Sequence, residues 1–169
     1  MKFWKHSLFT AIAFLAITST VLYSACQIDS CSDLKCMNGG SCANGFCNCP
    51  TGYEGTQCDQ KIADKFLGTY IGNTGCDMSP SIFDTATVFL QSGLMNLGIT
   101  FTGSTYGTLY GTISGNNVII NDVSSNGYYK HVTVTLEGQK LVVYQEQQVT
   151  DSKNNVTKAI CTFYGTKQK

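Results

Sequence analysis

The sequence predicts a mainly β protein in two parts: a small disulfide-rich module, then an antiparallel meander long enough to close as an eight-stranded barrel. Three observations carry this expectation. After residue 65, eight runs with strand-like alternation follow one another, separated by Gly, Asn and Ser turn signals. Six cysteines fall within 28 residues, in the order Cys31-x4-Cys36-x5-Cys42-x4-Cys47-x-Cys49-x8-Cys58. Charged residues make up only 13 % of the chain, with no arginine, and Thr, Ser, Asn, Gln and 17 Gly take their place. Such a mixture suits strands and turns better than long surface helices, which lean on Glu, Lys and Arg.

Residues 1–25 have the form of a secretory signal peptide. Lys2, Lys5 and His6 give a positive start, and Leu8 to Leu22 is an uncharged apolar stretch of 15 residues. That is short for a membrane span, which needs about 20 residues. The segment ends Leu22-Tyr-Ser-Ala25-Cys26, with small residues before the cysteine. This resembles the lipobox of bacterial lipoproteins, although Tyr23 stands where that family prefers Leu. The resemblance implies cleavage before Cys26 and lipidation of Cys26, with several acyl chains giving the stable anchoring that one chain does not. Residues 26–30 would then form a lipidated cysteine and tether.

Residues 31–59 form the cysteine frame. Fewer than 30 residues cannot bury enough apolar surface to offset chain entropy, so a fold here needs covalent staples. Cysteine counting alone leaves 15 pairings open. A zinc site is disfavoured because Cys47-x-Cys49 is too closely spaced and no His is near. With Asn38-Gly39-Gly40 before the third cysteine, Cys47-Asn-Cys49-Pro50 and Gly52-Tyr53-Glu-Gly55 before the sixth, the segment resembles an EGF-like module. The resemblance implies the pairs Cys31–Cys42, Cys36–Cys47 and Cys49–Cys58. The calcium-binding variant of that family is echoed only in part, by Gln27, Asp29, Asn44 and Phe46. Ser30 breaks its pattern and the Cys42 to Cys47 loop is short for it, so no metal and no cofactor are expected.

A polar linker is expected over 60–64 and the β domain over 65–169. Its candidate strands are Phe66 to Asn73, Thr85 to Gln91, Asn96 to Thr102, Tyr106 to Ser114, Val118 to Val123, Tyr129 to Leu136, Leu141 to Val149 and Thr157 to Thr166. Leu97, Ile99 and Phe101 share one face, as do Leu109 with Ile113, and Val132 with Val134 and Leu136. Ser125-Asn126-Gly127 carries the strongest short hairpin signal. Consecutive hairpins favour a meander, and eight strands suffice for closure. Closure would make the first and last strands neighbours and bring Cys76 to Cys161. The nine cysteines are then all assigned: one for lipid, six for the frame, two for the barrel. The domain loosely resembles the lipocalin-like barrels of exported bacterial proteins.

Little in the chain points to catalysis. Formal net charge is zero, and about −2 once residues 1–25 with Lys2 and Lys5 are removed. Without arginine or a basic run, nucleic-acid binding has no electrostatic footing. His131 is the only histidine after residue 25 and falls on a polar strand face with Thr133 and Thr135. Asp77 and Asp84 flank a turn without an adjacent base. No nucleophile elbow, zinc-protease or phosphate-loop motif occurs, so the expectation is a protein that is not an enzyme. Tyr106, Tyr110, Tyr128, Tyr129, Tyr144 and Tyr164 lie on strands or beside turns, where rings fill a sheet or meet a ligand. Taken with the resemblances, these features imply a lipid-anchored outer-membrane surface protein whose barrel meets a protein or glycan. The alternative is a barrel that carries a small apolar ligand, which requires a hollow interior.

Overall fold

The computed structural model describes residues 30–77, 79–103, 107–125 and 127–169. The expected signal peptide, Cys26 with its tether up to Asp29, Tyr106 and the turn residue Asn126 lie outside the described residues.

The cysteine frame builds two minimal hairpins. Strands β1 (Ser41–Ala43) and β2 (Phe46–Asn48) pair antiparallel, as do β3 (Tyr53–Glu54) and β4 (Gln60–Lys61). Three disulfides hold them: Cys31 to Cys42, Cys36 to Cys47 and Cys49 to Cys58. Cys58 is fully buried, while Phe46 is 76 % exposed, so sulfur rather than aromatic packing forms the centre of this module. Bridges closing loops this short contribute roughly 2–3 kcal/mol each by loss of unfolded-chain entropy.

The remaining strands are β5 (Gly68–Cys76), β6 (Ser79–Ser92), β7 (Asn96–Phe101), β8 (Leu109–Ser114), β9 (Asn117–Ile119), β10 (Val123–Ser125), β11 (Tyr128–Glu137), β12 (Lys140–Thr150) and β13 (Val156–Lys167). Each pairs antiparallel with its neighbour along the chain, except that β9 and β10 lie end to end along β11. β13 pairs with β5 over seven residues, from Cys161 opposite Cys76 to Lys167 opposite Tyr70. Counting β9 and β10 as one interrupted wall strand, the result is a closed eight-stranded antiparallel barrel. Closure removes the exposed edges that a flat sheet would present.

The alternation legible in the strands sets the inner face. Val88, Leu97, Ile99, Leu109, Ile113, Val118, Val132, Val134, Leu136, Leu141, Val143 and Phe163 are all buried in one cluster. Phe101 and Phe163 meet edge to face across it, with ring centroids 5.4 Å apart, a favoured arrangement for aromatic quadrupoles.

One end of the barrel is plugged. Residues 60–64, expected as a polar linker, instead belong to both parts. Gln60 and Lys61 complete the module's second hairpin, and Ile62–Lys65 forms a single 3-10 turn whose Ala63 is fully buried in the barrel core. Phe66, expected to begin the first strand, follows this turn and is itself fully buried. The Tyr70 hydroxyl donates to the Phe66 carbonyl at 2.8 Å, and burial pushes its pKa up to about 12. Lys167, at the end of the last strand, donates to the Lys65 carbonyl at 3.0 Å and so ties the chain's end to the plug. The module rests on the same end. Ile62 N–H donates to the Gly52 carbonyl at 2.9 Å, and Lys65 pairs with Glu54 at 3.3 Å. Gly52, at φ +95°, lies against Leu94, whose Cβ would stand 2.6 Å from any Cβ added there. A glycine is therefore required both by the turn and by the contact.

The opposite end, the mouth, is bounded by the ends of β5 at Cys76, β7 at Phe101, β10 at Ser125 and β12 at Thr150. Asp84 sits inside it, 1 % exposed. Its carboxylate accepts from the Thr74 hydroxyl at 2.8 Å, Thr85 N–H at 2.8 Å and Gly103 N–H at 2.7 Å. A buried carboxylate is tolerated when hydrogen bonds replace its hydration. Here it binds the start of the β7–β8 connection to β5 and β6.

Candidate ligand-binding face

The site residues suggested by the sequence separate into two groups. Eight cysteines form structure: three bridges in the module, and Cys76 joined to Cys161 across the seam that closes the barrel. Asp77 and Asp84 do not come together with a base; Asp84 is interior and Asp77 lies at the mouth, its N–H donating to the Ile160 carbonyl at 3.1 Å. Tyr110 and Tyr164 stand 51 % and 65 % exposed on separate strands.

Tyr129, His131 and Tyr144 do come together. They belong to the outer face of β11 and β12, where the register sets Tyr129 opposite Gln148, His131 opposite Glu146 and Thr133 opposite Tyr144. Inward residues alternate with them, and Val132, Val134 and Val143 are buried. His131 lies on the outer face of its strand and has a partner there. Its Nδ1 lies 2.7 Å from Asp122 Oδ1, and the Tyr129 hydroxyl donates to Asp122 Oδ2 at 2.9 Å.

A β-bulge makes this cluster. Ile119 opposes Thr133 and Val123 opposes Lys130, so three residues, Ile120 to Asp122, face only two, His131 and Val132. The extra residue reverses the inside–outside alternation. Asp122 would point inward in an unbroken strand from Val118; after the bulge its carboxylate meets two outward side chains. Strand pattern alone cannot show this, because the bulge leaves no apolar misfit in the sequence. The only available signal was the short separation of Asp122 and His131 across the Asn126-Gly127 turn.

A second carboxylate extends the face. Glu146 accepts from Gln148 Nε2 at 2.7 Å, Lys158 Nζ at 3.2 Å and the Tyr144 hydroxyl at 3.3 Å. The Glu146 carboxyl is held below its usual pKa, chiefly by the Gln148 bond and then by Lys158. The hydrogen bond from His131, and then that from Tyr129, likewise hold the Asp122 carboxyl below the usual carboxylate range. The Tyr129 phenol is raised by its bond to Asp122, and Tyr144 by desolvation and Glu146, so both stay protonated donors.

The lowered Asp122 pKa has a sign that can be checked. Its stabilising contribution is full above the unfolded value of about 3.9 and is lost as pH falls through the lower folded value. Asp122→Asn should therefore be less stable than wild type at neutral pH, and the difference should shrink as the pH drops below about 4. Urea midpoints of both proteins between neutral and acid pH measure it. A pH-independent gap would mean that the Asp122 charge plays no part.

Among the described residues no group of three or more His, Cys, Asp or Glu side chains gathers where a metal ion could be held. Fold and bridges together define the class: a disulfide-stapled, closed antiparallel barrel carrying a cysteine-framed module, of the kind that forms and persists in an oxidising, exported setting. No protein-family model matches the chain, and no curated protein is significantly similar to it.

Proposed function

We propose that this chain is a non-enzymatic cell-envelope lipoprotein, anchored to the outer membrane through Cys26 and spaced from it by the EGF-like module, whose barrel binds a partner at the β11–β12 outer face. The observation that carries the reading is the pair of adjoining hydrogen-bonded sets on this face, Tyr129 and His131 on Asp122 and Tyr144 and Gln148 on Glu146. Its rings are held by hydrogen bonds to carboxylates, so little rotamer freedom remains to be lost on binding. Aromatic faces beside carboxylate and amide groups suit a glycan, whose C–H faces pack on rings while its hydroxyls exchange hydrogen bonds. A protein partner would use the same rings as anchors. The module, rigidly stapled and docked on the plugged end, suits a spacer that turns the mouth and this face away from the membrane.

Two measurements test this. A glycan array probed with wild type, Tyr129→Ala and Tyr144→Ala should show binding that each variant weakens at least tenfold; equal binding by all three would remove the face from the reading. Cells fed a clickable fatty acid should label wild type and not Cys26→Ala, and equal absence of label would remove the lipid anchor.

A further inference from the structure

The bulge that builds the outer face also opens the barrel wall. The β8–β9 ladder ends where Thr112 opposes Ile119. Gly111 is the last point of close approach, for a Cβ there would lie 2.6 Å from the Ile119 carbonyl and 2.8 Å from Ile120 Cγ1. Beyond it Leu109 and Tyr110 keep their β7 partners on one side only. Between them and the bulged segment lies a cleft of about 260 Å³, lined by Leu109, Tyr110, Ile120, Val123, Val132 and Lys130 among others.

One feature of this apolar cleft suits a small charged ligand. Lys130 belongs to the inward-facing set of β11 with Val132, is half-buried, and makes no ion pair or side-chain hydrogen bond among the described residues. Desolvation alone pulls its pKa below the ordinary lysine value. Holding an ammonium partly out of water without a partner costs free energy, which an anion beside it would offset. Elsewhere the described interior carries one apolar cluster that runs from Phe66 to Phe163.

We infer that the seam between β8 and the bulge is a binding site for a small amphipathic anion, its carboxylate against Lys130 and its alkyl body along Leu109, Ile120 and Val132. The site, at about 260 Å³, is just below the usual size range of small-molecule pockets, which limits the alkyl body to a short chain. This binding is separate from the outer-face reading, since the Lys130 side chain is not part of the Tyr129–Asp122–His131 array.

The test titrates octanoate, octanol and octylammonium into the folded chain and follows backbone amide shifts by NMR. Octanoate should give saturable shifts at Ile120, Lys130 and Val132, octanol should bind at least tenfold more weakly, and octylammonium should not saturate. Lys130→Met, checked for an unchanged overall spectrum, should reduce octanoate to the level of octanol, while Lys130→Arg should keep the preference. Tyr129→Ala should leave octanoate binding intact even where it abolishes glycan binding, which keeps failure of one reading distinct from failure of the other. The proposal is overturned if octanoate and octylammonium bind alike, if octanoate fails to saturate at the seam, or if Lys130→Met retains the preference.

Discussion

Replacing both Cys76 and Cys161 with alanine is expected to lower the stability of the barrel by about 4–5 kcal/mol while leaving its strands in place. The two cysteines are 85 residues apart in sequence, so the bridge removes a large share of the unfolded chain's freedom. In the folded state they sit directly opposite each other at the mouth end of the β13–β5 ladder. Six further pairs, down to Lys167 opposite Tyr70, continue that ladder without them. The native wall therefore closes with or without sulfur, and the loss falls on the unfolded side of the equilibrium. For a domain of this size the shift corresponds to a fall in Tm of roughly 20 °C. Calorimetry of the double variant with the module's three bridges intact measures it, and far-ultraviolet circular dichroism checks that strand content is kept. A fall of only a few degrees would show that the unfolded chain is already compact enough to make the bridge redundant.

Phe66→Ala is expected to cost about 3–5 kcal/mol. Its ring is fully buried at the plugged end, held in the core with Ala63 and Tyr70. Truncation would open a void where no neighbour is free to collapse, because the plug is held on three sides. Tyr70 bonds the Phe66 carbonyl, Lys167 bonds the Lys65 carbonyl, and Glu54 pairs with Lys65. None of these contacts involves the Phe66 ring, so they should hold the backbone in place around the cavity. The urea midpoint should drop by about 2 M for a domain of this size. Phe66→Leu, which keeps most of the volume, should lose less than half as much. Equal losses for the two variants would mean that the aromatic contact itself, rather than filled volume, holds the plug.

The barrel was legible in the strands because most of it obeys alternation without exception. Period two alone puts Leu97, Ile99 and Phe101, Leu109 and Ile113, and Val132, Val134 and Leu136 on shared faces; all are buried except Phe101, which is partly buried against the core. The turns were equally legible from Gly and Asn. What escaped was everything produced by a departure from the period. The plug at Ile62 to Phe66 is too short to show helical periodicity, and its apolar residues are flanked by Lys61, Asp64 and Lys65, which read as a linker. The bulge at Ile120 to Asp122 is invisible in composition, yet it decides which way Asp122 points. Asp84 flanks a turn in the sequence, and an isolated carboxylate gives no sign there that Thr74, Thr85 and Gly103 will donate to it.

The sequence by itself determined the covalent and periodic facts: a stapled module, a meander of β-branched and aromatic strands, and a cysteine at each end of that meander. These follow from local chemistry, since alternation sets the buried face and glycines set the turns, and neither depends on distant residues. Only the tertiary structure decided where function is best sought. Closure brings β13 to β5, one extra residue turns Asp122 outward to meet Tyr129 and His131, and the same insertion parts β8 from β10 beside Lys130. Each of these depends on the register between strands that meet only when the sheet closes. A shift of one residue there exchanges inside for outside, and no local pattern in the chain records it.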